Sequence, residues 1–423
     1  MKIVITSDLY YPMTNGVAVF AHNLARGLAK QGHEVMVFCP SFTGKKHKEK
    51  KEGVTTVYLS SVRFPFYPDQ INKVPEKQEF LGLSMPRLVY RHGLWLTLDP
   101  YPVMKREMDR FRPDVIHNQT AEMIAVSARR YAKKRNVPMV STGHAYPDNV
   151  TGQVKLLKPI KRPVDAILRT YMASFLKHSE YATMPTEMAI DDLVPKNRRR
   201  FKVPVEALSN GVDLSKFMPG SPNPRVLKKY HLKPNVKRVL YLGRVDPEKS
   251  ISNVLLAFAE VLEKVPDAEL VIAGDGIDKN HLMDLAKALG IDAQTKFLGR
   301  IMSVAEAVSI YQSATLFATA SETETQGIVL IEAAATGLPI VAVDAGAVSE
   351  LCQDGKNGEL CRPGAIEELV AGMVKILTNE KLQKKYGAKS LVVARKHDLN
   401  RTLARFVEIY QEAIQLKKNR QES

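Results

Sequence analysis

Short apolar runs rich in β-branched residues alternate with longer segments of helical spacing along most of the chain. The predicted strands are 2–7, 34–39, 54–59, 114–117, 138–142 and 205–208 in the first half, and 239–243, 269–273, 296–298, 316–319 and 340–343 in the second. Such alternation is typical of β-α-β units, whose parallel strands are covered by helices on both faces. The sequence therefore predicts an α/β protein with two doubly wound parallel sheets.

The two sets of strands are separated by residues 209–235, a stretch rich in Pro, Gly and Asn that is typical of turns and linkers. A chain of 423 residues is also too long for one hydrophobic core. We expect two Rossmann-like domains, residues 1–208 and 209–395, with an irregular, proline-broken insertion at 61–105. Residues 396–423 form one more amphipathic helix, which could pack on either domain, and we expect it to pack back on the N-terminal one.

The chain carries a formal net charge of +16, which attracts nucleic acid, anionic lipid headgroups or anionic substrates. No nucleic-acid recognition motif accompanies the charge, so we expect no nucleic-acid partner. The three cysteines, Cys39, Cys352 and Cys361, form no C-x-x-C pair, which argues against a zinc site or a disulfide framework. Because a secretory signal and an apolar run of roughly 20 residues are both missing, we expect a cytoplasmic protein.

Two segments combine a predicted strand end with a glycine and a following helix, an arrangement in which backbone N–H groups bind phosphate. In the first, Gly16 is a candidate diphosphate contact, although its Asn-Gly pair is also the commonest turn dipeptide. In the second, YLGRVDPEKS at 241–250, Glu248 replaces the second glycine of a P-loop, which excludes that motif. Arg244 and Lys249 could still hold two phosphates there, unless they are simply a solvated pair.

Two glutamates flank a glycine in SETETQGIVLIEAAATGLPIV, residues 321–341. Helical spacing begins near Gln326, which places Glu324 in the preceding loop and Glu332 about two turns into the helix. Gly327 and the free N–H groups of the first turn could bind a phosphate while the carboxylates accept hydrogen bonds from sugar hydroxyls. A capping acid and a solvated helical glutamate are the structural alternative.

His117 and His144 both lie at predicted strand ends of the first domain, where each is either a structural residue or part of an acceptor site. The G-x-G-x-x-G fingerprint is absent from the sequence, which argues against an NAD enzyme. No D-x-D pair occurs either, so there are no obvious carboxylates for a metal-bridged diphosphate. We expect no cofactor and no metal requirement.

Taken together, the motifs resemble the family 4 retaining glycosyltransferases of GT-B fold. The similar segments, in chain order, are NGVAVFAHNLARGLAKQGHEVMVF, DVIH, STGH, SNGVDLSKF, YLGRVDPEKS, VIAGDG, FLGRI and SETETQGIVLIEAAATGLPIVAVDAG. Their order and spacing over nearly the whole chain make the resemblance specific. It implies two Rossmann-like domains facing a central cleft, with a sugar-nucleotide donor bound mainly by the second domain and a hydroxyl acceptor mainly by the first.

The resemblance also implies roles for individual residues. Those expected to act in catalysis, by positioning and charge stabilisation rather than as a nucleophile, are His144 beside the sugar, Glu324 on the transferred sugar, and Arg244 and Lys249 on the diphosphate. The other expected donor contacts are Glu332 on the ribose, the main chain at Gln326, Gly327 and Ile328, Arg300 and Ile301 near the base, and Gly16 in the glycine loop. The chain departs from many family members at Asn15 and Ser250, where they have glycine.

Residues 153–178 carry six basic side chains against one acid, interleaved with apolar residues. This pattern predicts either a basic amphipathic helix on an anionic membrane or a core-packing helix with a solvated face. The basic cluster KNRRRFK at 196–202 adds to the charge. The opening YYPMTNGVA is also similar to family members that glycosylate diacylglycerol, although relatives act on phosphatidylinositol or on soluble acceptors.

We therefore expect a hexosyltransferase bound peripherally at the cytoplasmic face of the membrane. It would transfer a hexose, with UDP-glucose favoured as donor, to a lipid such as diacylglycerol and retain the anomeric configuration. A soluble or polysaccharide-precursor acceptor remains open, as does a non-enzymatic sugar-nucleotide-binding protein.

Overall fold

The computed structural model describes residues 1–11, 13, 15–68, 79–80, 83–84, 92–144, 161–194, 201–301 and 303–422. The chain divides into two compact units. The first unit comprises Met1–Ser209 together with Asn400–Ser423, and the second comprises Asn210–Leu399.

The first unit is built around an eight-stranded sheet. Its elements before the second unit are β1 (Lys2–Thr6), α1 (Gly16–Lys30), β2 (Glu34–Pro40), β3 (His47–Lys51), β4 (Val54–Leu59), β5 (Ser61–Pro68), β6 (Glu79–Phe80), β7 (Leu83–Ser84), β8 (His92–Thr97), α2 (Tyr101–Phe111), β9 (Val115–Asn118), α3 (Met123–Arg135), β10 (Met139–Thr142), α4 (Lys161–Lys177), β11 (Tyr181–Met184), α5 (Glu187–Leu193) and β12 (Val205–Ala207). The strand order is β12-β11-β10-β9-β1-β2-β4-β3, and every neighbouring pair is parallel except β3 with β4.

The second unit is built around a six-stranded sheet that is parallel throughout, in the order β15-β14-β13-β16-β17-β18. The remaining elements of the chain are α6 (Pro224–Lys229), β13 (Arg238–Leu242), α7 (Ile251–Lys264), β14 (Glu269–Ala273), α8 (Lys279–Ala288), β15 (Thr295–Gly299), α9 (Val304–Gln312), β16 (Leu316–Thr319), α10 (Ile328–Ala335), β17 (Ile340–Val343), α11 (Val348–Leu351), β18 (Gly358–Cys361), α12 (Ile366–Leu377), α13 (Glu380–Arg395) and α14 (Leu399–Glu422).

Both faces of the second sheet are buried. Along β13, Val239 and Tyr241 pack into one hydrophobic cluster and Leu240 into the other, and none of the three is more than 3% exposed. Because helices cover both faces, the sequences of these strands are continuous apolar runs rather than alternating apolar and polar residues. The predicted fold class, with two doubly wound parallel sheets, is confirmed.

Three strands of the two main sheets were not predicted from the sequence. They are β3, with the sequence HKEKK, β11, with YATM, and β18, with GELC. Each is short and either charged or interrupted by a residue of low strand propensity, so no apolar run marks it. Strand β3 is exposed along its whole length and pairs only with β4, as expected of a lysine-rich sheet edge.

The C-terminal helix α14 packs on the first unit. Phe406 and Tyr410 are fully buried, and the ring of Phe406 lies 5.8 Å from that of Phe20 on α1. The guanidinium of Arg405 binds the carboxylate of Glu206 on β12 at 2.6 Å. Apolar and ionic contacts therefore hold α14 against two elements of this unit.

The segment expected to be an irregular insertion contains two antiparallel pairs, β5 with β8 and β6 with β7, and α2 begins at Tyr101. Residues 69–78, 81–82 and 85–91 of that segment lie outside the described residues. Among the helices that the structure describes, none combines the length and the apolar character needed to cross a bilayer.

Candidate active site

The predicted donor-binding residues of the second unit follow the carboxyl ends of its strands. Arg244 and Lys249 follow β13, Arg300 and Ile301 follow β15, and Glu324 follows β16. Strands β15, β14, β13 and β16 are neighbours in the sheet and all run in the same direction. These residues therefore lie together at the carboxyl ends of the strands, where ligands of open α/β sheets bind.

Lys249 and Glu324 form an ion pair in which Nζ lies 2.7 Å from Oε1. The two side chains are only 13% and 15% exposed, and Nζ also lies 3.4 Å from the Ser321 hydroxyl. Burial raises the pKa of Glu324, but the charge and hydrogen bond of Lys249 outweigh burial, so that the pKa lies below its ordinary value. An ionised carboxylate and a cation thus lie side by side at neutral pH.

Arg244 is held by two carboxylates of its own loop. One guanidinium nitrogen binds Asp246 and another binds Glu248. Asp246 is buried, and its Oδ1 accepts a hydrogen bond from the N–H of Ile277 at 3.1 Å, which connects Arg244 to the loop after β14. Burial raises the pKa of Asp246, and the charge of Arg244 opposes that rise. Arg244 and Lys249 are therefore anchored side chains rather than a freely solvated pair.

The loop that carries Glu324 is fixed by its backbone. The Glu324 carbonyl accepts a hydrogen bond from the N–H of Ala347 at 3.0 Å. Gly346 lies against the same carbonyl, and a Cβ atom on Gly346 would come within 2.6 Å of that oxygen. The turn after β17 thus sets the position from which Glu324 reaches Lys249.

Helix α10 begins at Ile328, two residues later than predicted from Gln326. The reason is Gly327, whose φ of 73° and ψ of 55° are left-handed and hold the preceding residues out of the helix. The Gln326 side chain is buried, and its oxygen accepts a hydrogen bond from the N–H of Asn210 at 3.3 Å. Gln326 therefore anchors this loop through its side chain.

Glu332 is the fifth residue of α10, so the predicted position two turns into the helix is wrong. Its Oε2 accepts a hydrogen bond from the hydroxyl of Tyr311 on α9 at 2.9 Å. Burial raises the pKa of Glu332 to about 7, although the hydrogen bond from Tyr311 opposes that rise. The carboxylate is half-buried and bonded, not a solvated helical glutamate.

In the first unit, Gly16 is the first residue of α1 and is exposed. The side-chain oxygen of Asn15 caps this helix by accepting a hydrogen bond from the N–H of Ala18 at 2.8 Å. Asn15 has φ −75° and ψ 161°, an extended conformation open to any residue. The asparagine in place of the family's glycine is thus explained by its role as a helix cap.

His144 follows β10 and is neutral at physiological pH, because burial lowers its pKa to about 3. Its Nε2 lies 2.8 Å from Oε1 of Gln119, an atom that only accepts hydrogen bonds, so Nε2 carries the proton. Nδ1 is then an acceptor, and it has no hydrogen-bond partner among the described residues.

The predicted acceptor contact by His117 is wrong, because His117 is fully buried and both of its ring nitrogens are already bonded. Nε2 lies 3.0 Å from the side-chain nitrogen of Gln119 and 2.7 Å from the Thr142 hydroxyl, and Nδ1 lies 2.7 Å from the hydroxyl of Tyr410 on α14. His117 therefore supports Gln119, which in turn orients His144.

Asp246, Tyr311 and Gly346 are among the residues that contact the predicted site but were not selected from the sequence. Gly346 and Asp246 lie inside segments that carry the family resemblance, so a signal existed for both. Tyr311 lies ten residues before the two-glutamate segment and looks like an ordinary core residue of a helix. In the part of the chain that the structure describes, no three His, Cys, Asp or Glu side chains are grouped so that they could hold a metal ion.

The predicted basic amphipathic segment is described only from residue 161 onward, as α4. Lys155 and Lys158 lie outside the described residues, as do residues 196–200 of the second basic cluster. The exposed face of α4 carries Arg162, Ile167, Tyr171 and Lys177, with Ile167 68% and Tyr171 47% exposed.

Two family models match the chain, Glycosyltransferase Family 4 at residues 14–216 and Glycosyl transferases group 1 at residues 223–391. The chain is 29% identical to the alpha-monoglucosyldiacylglycerol synthase of Streptococcus pneumoniae, over 85% of this chain and 75% of that protein. It is 27% identical to the synthase of the same name from Acholeplasma laidlawii, over 90% of this chain and 89% of that protein. The crystal structure of Anabaena HepE with UDP and glucose has a TM-score of 0.69 to this chain at 16% identity, covering 97% of this chain and 99% of the other.

The fold and the residues gathered at the strand ends define the class of protein, a glycosyltransferase of GT-B fold. The two matched segments together cover most of the sequence, one in each unit. The chain belongs to glycosyltransferase family 4, and the resemblance read from its sequence is confirmed.

Proposed function

We propose that this protein is a retaining hexosyltransferase that uses a nucleotide-diphosphate sugar, with UDP-glucose favoured, and glycosylates a hydroxyl of a membrane lipid such as diacylglycerol. The observation that carries the donor assignment is the Lys249–Glu324 pair at the carboxyl edge of the second sheet. A cation suited to phosphate and an ionised acceptor suited to sugar hydroxyls meet there, both largely buried. The names of the two synthases support glucose and diacylglycerol, and the HepE complex supports UDP.

In the proposed reaction, the acceptor oxygen forms a bond to the anomeric carbon while the bond from that carbon to the diphosphate breaks. The acceptor's proton passes to the departing diphosphate, so no side chain has to act as a nucleophile. Lys249 and Arg244 would stabilise the charge that develops on the diphosphate, which is the main task of such a site. Because these cations supply that charge, we propose that transfer needs no metal.

The remaining site residues would bind and orient the substrates. Glu324 would hold the transferred sugar and Glu332 the ribose, and Arg300 and Ile301 would lie near the base. His144 would lie beside the transferred sugar. Holding two reactants in the attacking geometry lowers the activation barrier, so these contacts contribute to the reaction rate without any proton transfer by a side chain.

The lipid part of the proposal is supported by how charge is distributed. In the second unit 23 Lys and Arg residues are balanced by 23 Asp and Glu residues, so the entire net charge of +16 belongs to the first unit. The exposed face of α4 carries two apolar side chains, Ile167 and Tyr171, together with the cations Arg162 and Lys177. Apolar side chains flanked by cations are typical of helices that lie on anionic membranes.

The experiment is a transfer assay with purified protein, diacylglycerol in mixed vesicles and a panel of UDP- and GDP-sugars. We expect product from a UDP-hexose in the presence of EDTA, and a rate at least about 100-fold lower in Glu324→Ala. Glu322→Ala is the matched control, because Glu322 is an exposed carboxylate of the same loop and should keep full activity.

Equal activity in wild type and Glu324→Ala would place the site elsewhere. Binding of a sugar nucleotide without transfer to any lipid or soluble acceptor would favour the non-enzymatic alternative. Transfer to soluble acceptors only would support the glycosyltransferase activity and contradict the proposed lipid acceptor.

A further inference from the structure

Tyr311 is the only buried side chain that the described structure shows bonded to the carboxylate of Glu332. It lies on α9 and is fully buried. Its hydroxyl donates to Glu332 Oε2 at 2.9 Å and lies 3.2 Å from the carbonyl of Val329, in the first turn of α10. Tyr311 is thus positioned against both the backbone and the functional carboxylate of that helix.

The second oxygen of Glu332, Oε1, accepts no hydrogen bond from any described residue. Glu332 itself is partly exposed, so Oε1 can be reached by a ligand while Oε2 is fixed from behind. A carboxylate with one oxygen anchored and one open is held in a single orientation, which lowers the entropy lost when a ligand binds.

We propose that Tyr311 is a positioning residue for donor binding: it holds the Glu332 carboxylate in the orientation in which Glu332 accepts hydrogen bonds from ribose hydroxyls. The inference rests on the proposed function, because it assigns the ribose to Glu332. Its consequence is that Tyr311 selects nucleotides that carry the 2′- and 3′-hydroxyls over those that lack them.

The sign of the pH dependence follows from the surroundings of Glu332. Burial raises the pKa of Glu332 to about 7, and the hydrogen bond from Tyr311 is what lowers it. Among the described residues, Tyr241 on β13 is the one further titratable group whose charge affects the pKa of Tyr311, and no charged side chain shifts the pKa of Glu332. Removing the Tyr311 hydroxyl should therefore raise that pKa further and leave more of the carboxylate protonated at neutral pH.

The test is calorimetric binding of UDP and of 2′,3′-dideoxy-UDP to wild type and to Tyr311→Phe between pH 6 and pH 9. For wild type we expect UDP binding to tighten as pH rises through about 7, and dideoxy-UDP binding to lack this step. In Tyr311→Phe, UDP should bind about tenfold more weakly at pH 7.5, with the pH midpoint shifted upward, because a hydrogen bond to a charged group is lost. Dideoxy-UDP should bind both proteins equally.

Tyr386→Phe is the matched control. Tyr386 is also a buried tyrosine of the second unit whose hydroxyl donates to a glutamate, Glu359, at 2.5 Å, but it lies on α13 and contacts no predicted donor residue. It should lower stability without changing UDP affinity or its pH midpoint.

The outcomes separate the two proposals. An equal loss of UDP and dideoxy-UDP affinity in Tyr311→Phe, or no loss of either, would overturn the positioning role while leaving the donor site intact. Wild-type protein that binds neither UDP nor GDP would overturn the proposed function and this inference with it.

Discussion

Ser250, the residue after Lys249, has a left-handed backbone with φ 48° and ψ 38°. Many family members have glycine at this position, and the conformation explains why: a side chain in the left-handed region costs roughly 1–2 kcal/mol. We expect Ser250→Gly to raise the free energy of unfolding by about 0.5–1 kcal/mol, since the relief of strain exceeds the extra entropy of glycine in the unfolded chain. Urea denaturation measures the change. Ser250→Ala keeps the strain, so a gain of similar size in that variant would refute the explanation.

Single residues of the site differ in how well the sequence predicts them. Glu324 and Lys249 are predictable because each follows a buried strand, and strand ends are set by apolar patterning. His117 was placed at the end of a predicted strand, yet it lies within β9 and is buried against Tyr410 on α14, almost 300 residues later in the chain. No local pattern contains such a contact. Tyr311 was missed for the same reason, since its partner lies on another helix.

Among elements, the turn after β17 has a function that its sequence does not display. Gly346 has φ 58°, and a Cβ there would meet the Glu324 carbonyl oxygen at 2.6 Å. We expect Gly346→Ala to destabilise the protein by about 2 kcal/mol, because backbone strain and a backbone clash add. It should also reduce donor affinity by displacing the Glu324 loop. Thermal unfolding and nucleotide titration check both effects.

Gly355→Ala is the matched control for that turn. Gly355 also has a positive φ, of 66°, but an added Cβ would meet no atom within 4 Å. We expect strain alone there, with a smaller loss of stability and normal donor binding. Equal losses of stability and of donor affinity in the two variants would show that the contact between Gly346 and the Glu324 carbonyl contributes to neither property.

The strands that carry the site were predictable as elements because both faces of the second sheet are buried and their sequences are therefore apolar throughout. Helix starts were less predictable. The first turn of α10 has the spacing of a helix from Gln326, but the left-handed Gly327 determines where the helix begins. A glycine conformation is fixed by its neighbours, and composition alone does not reveal it.

At the scale of the molecule, the charge is divided between the units in a way that only the three-dimensional division reveals. All of the net charge of +16 belongs to the first unit, whereas the second unit, with the predicted donor residues, is neutral. A neutral unit with a few buried cations suits a compact anionic ligand, and an excess of exposed cations suits an extended anionic surface. Under the proposed function, the division would separate donor binding and membrane attachment into two electrostatic tasks.

This separation predicts how charge reversal affects vesicle binding. We expect Arg162→Glu with Lys177→Glu, on the exposed face of α4, to weaken flotation with anionic vesicles by at least about tenfold at low salt, because each basic residue near the surface contributes about 1 kcal/mol. Lys384→Glu with Lys385→Glu makes the same change of charge on exposed α13 of the second unit and should leave flotation unchanged. Wild-type binding should also fall as salt is raised toward physiological strength. Equal losses of flotation in the two double variants would mean that the net charge of the protein, not its position on α4, drives attachment. If the wild-type protein does not bind anionic vesicles at low salt, the proposed membrane binding is wrong.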